Sequence, residues 1–376
     1  VLADVLSDLE RLVRCESPSR DADANASSAD TVAALGTFLL GVEPERIASG
    51  PFHHLVWRLG DRPSRVLLLG HHDTVWPMGS LATHPFSNVD GVLRGPGCFD
   101  MKAGVVMALH AAAALSASDG VTVLITGDEE LGSPTSRQLI ETEAAGCSAA
   151  LVLEASADGG AIKTARKGAS LYRVTVHGRA AHAGLEPELG VNASVELAHQ
   201  VLAIAALADP ERGTTVTPTV LESGTTTNTV PAEASVSVDV RMWTAAEQAR
   251  VDSALQGLRA VVPGAVVEVT GGANRAPLER TASAALFQQA SEVAARLGLP
   301  PLTEAAVGGA SDGNFTAGIG VPTLDGLGAV GGGAHAADEH VILSELVPRI
   351  SLLTALIQEI LDSAPAPAGS SKAAKS

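Results

Sequence analysis

Short, largely apolar runs alternate along the first half of this chain with segments of helix-forming composition, and that order admits few folds. The runs are 53–59 (HHLVWRL), 65–70 (RVLLLG), 121–127 (VTVLITG) and 149–155 (AALVLEA), with helix-forming stretches at 102–115 and 134–143 between them. Alternating β and α segments predict an α/β fold with a mostly parallel sheet and helices on both faces. Of the 376 residues, 46% are hydrophobic but only 3% aromatic, so the core must be built from Val, Leu, Ile and Ala.

The texture changes near residue 168. Strand-like 169–178 and 234–242, helical 191–207 and 245–261, and strand-like 265–272 suggest a β-α-β-β-α-β order, an inserted α+β domain over 168–275. The first domain is then discontinuous, 1–167 with 276–362, opening on a helix that ends near Ser17 and closing on one from Leu343 to about Leu361. The Pro, Ser and Gly content of 363–376 reads as a disordered tail.

A net charge of −17, with no basic run against it, argues against nucleic acid as a partner. No stretch of about 18 apolar residues suggests a membrane span. The opening residues show helical spacing with internal charges and not a signal peptide, so a cytoplasmic enzyme is expected, with room before Val1 for a removed leader. Cys15, Cys98 and Cys147 are widely spaced and fit neither a disulfide framework nor a thiolate metal site.

Polar residues gather where the apolar runs end. In Gly70-His71-His72-Asp73, alternate side chains of an extended chain share a face, which pairs His71 with Asp73 and turns His72 away. His71 is therefore the candidate metal ligand, and Asp73 is placed to accept from its other ring nitrogen. The loop 95–104 (GPGCFDMKAG) lacks the Lys-Ser/Thr ending of a phosphate-binding loop; its Asp100 suits a carboxylate bridging two cations. Of Glu129 and Glu130, one can face a metal while the other takes a proton from water. Glu154 ends another buried run and would be costly to bury without a cation. His335, in the glycine-rich 331–340 (GGGAHAADEH), competes with His340, which is read as an exposed or capping residue at a helix start.

The strings GHHDTV, GPGCFDMKAG, ITGDEELGS, LVLEAS, VHGRAAHAG, TTTNTVP, DVRM and GGGAHAADEH run in that order across nearly the whole chain. Together they resemble the di-zinc metallopeptidases that include bacterial glutamate carboxypeptidases, aminoacylases and related dipeptidases. The resemblance implies one Zn²⁺ on His71 and Glu154, a second on Glu130 and His335, and Asp100 between them, with Co or Mn as substitutes. It implies Glu129 as general base and Asp73 as the acid orienting His71. Charge counting agrees: three carboxylates and one hydroxide neutralise two divalent ions, leaving Glu129 to take a proton.

In such proteins the insert acts as a lid and dimerisation domain, so a homodimer is expected. His182 would donate to the oxyanion in the partner's site, and Asn228 and Arg241 would hold the substrate carboxylate. Arg241 also stands within reach of Asp239 on its own strand. Arg275 and Lys163 are candidates for an acidic substrate side chain. The wording of GPGCFDMKAG and GGANRAP is closest to the glutamate carboxypeptidase branch, which implies removal of a C-terminal amino acid, glutamate or similar, from a small peptide or N-acyl precursor. An N-acyl-amino-acid deacylase or dipeptidase would use the same metal chemistry, and a non-catalytic zinc-binding scaffold the same fold.

Overall fold

The computed structural model describes residues 1–363; the tail read from 363 to 376 lies, but for its first residue, outside the described residues. Packing divides the chain into two units. One comprises Val1–Ala165, Arg280–Val307 and the chain from Ser311 onward, the other Arg166–Glu279 with Gly308–Ala310.

The first unit is built on a six-stranded sheet, in the order Glu45–Ser49, Phe52–Leu59, Val121–Thr126, Val66–His71, Ala149–Val152 and Thr323–Leu324. The first two pairings are antiparallel and the other three parallel. Its central strands are apolar throughout because both faces are covered. Val66 and Leu68 join one core cluster, with residues of helices Leu2–Arg14, Ala22–Leu40, Ala103–Ala113, Arg280–Arg296 and Leu343–Asp362. Leu67 and Leu69 join another, against Ile140 and Ala144 of helix Arg137–Ala144 and Phe315 of helix Gly313–Gly318. The period of two thus decides which helix each residue meets.

Strand register also places the chemistry. His71 pairs with Thr126 and Leu69 with Val152, so His71, the Asp128–Glu130 turn and Glu154 all emerge at the same edge of the parallel strands. Open α/β sheets bind ligands at that edge.

Sequence patterning does not delimit helix Ala22–Leu40, because its buried face is largely of small residues: Ala24, Asn25, Ser28, Ala29, Ala33 and Gly36 beside Val32 and Leu35. Small residues let the helix lie close to the strand carrying Trp57. A Cβ at Gly36 would stand 2.3 Å from the buried Trp57 ring. Gly36→Ala gains about 1 kcal/mol of helix propensity, but overpacking of this kind costs about 1–3 kcal/mol. The expected net result is a lower urea midpoint; a raised midpoint would show that the ring moves aside.

A small antiparallel sheet, ordered Gly331–Gly332, His340–Ile342, Val92–Arg94 and Ser87–Val89, sits on the same unit. Its pairing puts His340 in a strand, not at the start of the final helix, which begins at Leu343.

The second unit has a four-stranded antiparallel sheet, Thr215–Ser223, Glu233–Met242, Gly168–His177 and Val266–Arg275, in β-α-β-β-α-β chain order. Helices Ala193–Ala205 and Ala245–Gln256 cover its apolar side. Asn192 and Thr244 cap their N-termini by accepting backbone N–H groups. The second helix stops at Gln256, short of the predicted 261, because the chain turns at Gly257 and Glu196 accepts the N–H groups of Val261 and Val262.

Candidate metal centre

Seven side chains of the first unit converge beyond the strand edge. His71 Nε2 lies 3.5 Å from Asp100 Oδ1 and 3.6 Å from Glu154 Oε1. His335 Nε2 lies 3.3 Å from Asp100 Oδ2 and 3.2 Å from Glu130 Oε2. Each oxygen of Asp100 therefore faces a different imidazole. Donor atoms of His71, Asp100 and Glu130 form one group close enough to share a cation, and those of His71, Glu129 and Glu154 another.

These distances suit ligands of a common ion. Tetrahedral zinc with bonds of about 2.0–2.1 Å separates its ligand atoms by about 3.3 Å. The buried atoms His71 Nε2, Asp100 Oδ1 and Glu130 Oε1 make no hydrogen bond within the chain, which is costly unless a cation satisfies them. The residues fit a pair of divalent metal ions.

The electrostatics point the same way. Burial alone would lower the His71 imidazole, but Asp100, Asp73 and Glu154 outweigh it and hold it well above the usual histidine range. Asp100 and Glu130 push His335 up to about 10. Burial opposes ionisation of Asp100, yet His335 and His71 hold its carboxyl well below the usual range. Burial raises the Glu130 carboxyl, against the pull of His335. A cluster so rich in carboxylates draws positive charge to itself.

His72 turns away as alternation requires: it is buried, with Nε2 2.9 Å from the carbonyl of His53. Asp73 meets the imidazole through its backbone and its side chain. The His71 Nδ1 proton goes to the backbone carbonyl of Asp73 at 2.9 Å, while the carboxylate stands at 3.4 Å. That carboxylate also accepts from Ser19 Oγ at 2.6 Å and from the N–H groups of Glu129 and Glu130 at 3.2 and 3.3 Å. It thus holds the glutamate turn while standing beside the imidazole. Asp128 is structural: its carboxylate accepts from Thr135 and Ser136 at the start of helix Arg137–Ala144.

His335 is half exposed and takes φ of +62°, a left-handed conformation rare outside glycine. Lys163 lies in strand Ile162–Arg166 and lines a cleft of the same unit with Phe99, Ser156 and Ala334.

The remaining candidates belong to the second unit. His182 is exposed, and its Nδ1 accepts from the N–H groups of Gly184 and Leu185 at 3.2 and 3.1 Å, which puts the ring proton on Nε2. Asn228 is exposed in a turn, and its carbonyl accepts from Ala183. Arg241 donates bidentately to Asp239, its neighbour two residues back on the same strand face. Arg275 is buried at the end of strand Val266–Arg275.

Two side chains not singled out in the sequence belong to the metal centre's scaffold: Ser19, on Asp73, and Glu339, whose buried carboxylate gathers N–H groups of the loop carrying Asp100. The only signal for Glu339 was an acid four residues after His335 in a glycine-rich loop.

Comparison with known proteins agrees with this architecture. The chain is 30% identical over 379 residues to carboxypeptidase G2 of Pseudomonas sp. (strain RS-16), covering 95% of this chain and 89% of that one. It is 28% identical over 340 residues to succinyl-diaminopimelate desuccinylase 2 of Shewanella loihica, covering 82% and 88%. Among solved structures, aminopeptidase PepT of Bacillus cereus superposes with a TM-score of 0.73 at 22% identity, covering 96% of this chain and 99% of that one. The YXEP protein of Bacillus subtilis, described as a dinuclear metal binding peptidase, superposes with a TM-score of 0.62 at 15% identity, covering 96% and 99%. Residues 67–359 match the model of peptidase family M20/M25/M40, and this chain, a hydrolase of α/β fold with an inserted α+β unit, belongs to that family.

Proposed function

We propose that this protein is a di-zinc hydrolase that cleaves the amide bond before a C-terminal amino acid, glutamate or one like it, of a peptidyl or N-acyl substrate. The observation that carries the metal reading is Asp100, whose two carboxylate oxygens each face a different histidine. One ion would be held by His71, Glu154 and Asp100, the other by Glu130, His335 and Asp100. Two bound divalent ions supply Lewis acidity for water and for the scissile carbonyl.

The chain's own groups do the rest. Glu129, held by the Asp73 carboxylate through its N–H, takes a proton from the attacking water as the C–O bond forms. It returns that proton to the amide nitrogen as the C–N bond breaks. His182, with its proton on Nε2, is suited to donate to the developing oxyanion, supplied by the partner copy of a homodimer. Asn228 and Arg241 take the substrate carboxylate, which must then share the guanidinium with Asp239. Arg275 and Lys163 answer an acidic side chain.

Preference for a C-terminal amino acid draws on the likeness to carboxypeptidase G2. Likeness to desuccinylases favours a second reading, deacylation of an N-acyl amino acid by the same centre. The zinc-loaded protein, offered N-acyl and dipeptide substrates varied at the C-terminal residue, should turn over glutamate-terminated ones fastest. Arg275→Met or Lys163→Met should narrow the glutamate-to-alanine ratio of kcat/KM. Turnover of N-succinyl substrates with glutamate-terminated ones untouched would favour the second reading, and an unchanged ratio in both variants would remove the acidic pocket.

A further inference from the structure

Glu339 is 2% exposed and lies four residues beyond His335. Its Oε1 accepts from the N–H groups of Phe99 at 2.8 Å and Asp100 at 3.0 Å. Its Oε2 accepts from the N–H of Gly97 at 3.0 Å and the indole Nε1 of Trp76 at 2.5 Å. Four donors thus converge on one carboxylate, three of them successive or near-successive backbone groups of the loop that ends in Asp100.

That carboxylate sits at the meeting point of two loops. On one side, Gly97 takes φ of +69°, and a Cβ there would stand 2.4 Å from Thr74, so the loop is folded tightly with its N–H groups turned inward. On the other, the loop 333–339 closes on itself through Ala336 N–H to Gly333 and Glu339 N–H to Ala336, with His335 in the left-handed region between. The pairing of His340 with Arg94 and of Gly332 with His340 pins the start and finish of this loop to the small sheet. His335 and Asp100 come from segments 235 residues apart in sequence yet face each other at 3.3 Å. The Glu339 bonds tie the backbones of these two segments together.

We propose that Glu339 is a positioning residue that holds Asp100 and His335 at ligand separation, and so sets the affinity of the metal ion bound between Glu130 and His335. The proposal rests on the di-metal reading above. Its bonds go to backbone N–H groups and to Trp76, so Glu339 acts through the loop. Outer groups that orient metal ligands typically govern affinity by about 10–100-fold, and that is the effect expected here. Loss should fall mainly on the ion between Glu130 and His335, two of whose three ligands, Asp100 and His335, lie on the tied loops; the other ion shares only Asp100 with them, and its His71 and Glu154 stand at the ends of the parallel strands.

The test is zinc binding by the full chain, titrated against a chelator of known affinity, for wild type, Glu339→Gln and Trp76→Phe, with melting of each metal-free protein alongside. Gln keeps one acceptor oxygen and replaces the other with a donor facing N–H groups. The expected result in Glu339→Gln is an unequal loss, with the zinc between Glu130 and His335 weakened about 10–100-fold and the other, which shares only Asp100, weakened far less. Trp76→Phe, which leaves the three backbone bonds, should weaken the zinc between Glu130 and His335 by about threefold, the share of a single hydrogen bond. Should Glu339→Gln fail to fold, Trp76→Phe decides alone, and unchanged affinity there overturns the proposal. Two zinc ions at wild-type affinity in folded Glu339→Gln overturn it as well. Both zinc ions weakened equally, with a matching fall in metal-free melting temperature, reduce Glu339 to a general structural role and also overturn it. A wild-type chain that retains no zinc pair overturns the metal reading and the Glu339 assignment with it.

Discussion

Replacing Glu129 with glutamine should lower kcat by about 10²–10⁴-fold, the usual contribution of a positioned general base, and leave two zinc ions per chain bound. The amide keeps the shape of the side chain and removes its capacity to carry a proton. Geometry makes this test sharp, because Glu129 stands as close to His71 and Glu154 as a ligand would. Its neighbour Glu130 faces His335 at 3.2 Å. If Glu129 were instead a ligand, the variant would lose metal along with activity, and zinc content measured beside kcat separates the two outcomes. The backbone of the turn should be unaffected, since both glutamate N–H groups are held by Asp73 and not by their own side chains.

Removing the metals has the second large effect. Chelation should abolish hydrolysis and lower the melting temperature of the first unit by about 10 °C. Ligand binding at about a thousandfold over Kd stabilises by about 4 kcal/mol, and a domain of this size shifts by about 2–4 °C per kcal/mol. The site itself shows why the metal-free state is the weaker one. Five carboxylates, of Asp73, Asp100, Glu129, Glu130 and Glu154, gather about two imidazoles, and three buried polar atoms go without a hydrogen bond. Zinc restores both the transition and the activity when added back. A melting curve identical with and without chelator would exclude these residues as a tight metal site. The second unit, whose core is separate, should show no such dependence.

Much of the site was legible before any coordinates. His71, Glu130 and Glu154 follow apolar runs of a parallel sheet, and alternation on an extended strand separates His71 from His72 by simple geometry. Those are local rules, and the register of the sheet left them intact. His340 was misplaced because a three-residue strand in a glycine-rich stretch carries no periodicity, and only its pairing with Val92–Arg94 creates it. Helix Ala22–Leu40 left little signal because a face of Ala, Ser and Gly is chosen for close approach and not for hydrophobic contrast. The further partners of Asp73 left no signal for a related reason: its carboxylate meets the N–H groups of Glu129 and Glu130 only because two strands distant in the chain end side by side.

By itself the sequence determined the layered α/β order, the inserted unit and the chemical character of the strand ends, because hydrophobic period and residue type act within a few residues of chain. Tertiary structure alone decided how far apart the ligands stand. Asp100 and His335 meet at 3.3 Å where two irregular loops are bound to each other through the carboxylate of Glu339. Hydrogen bonds between loops distant in the chain leave no repeating pattern from which they could be read.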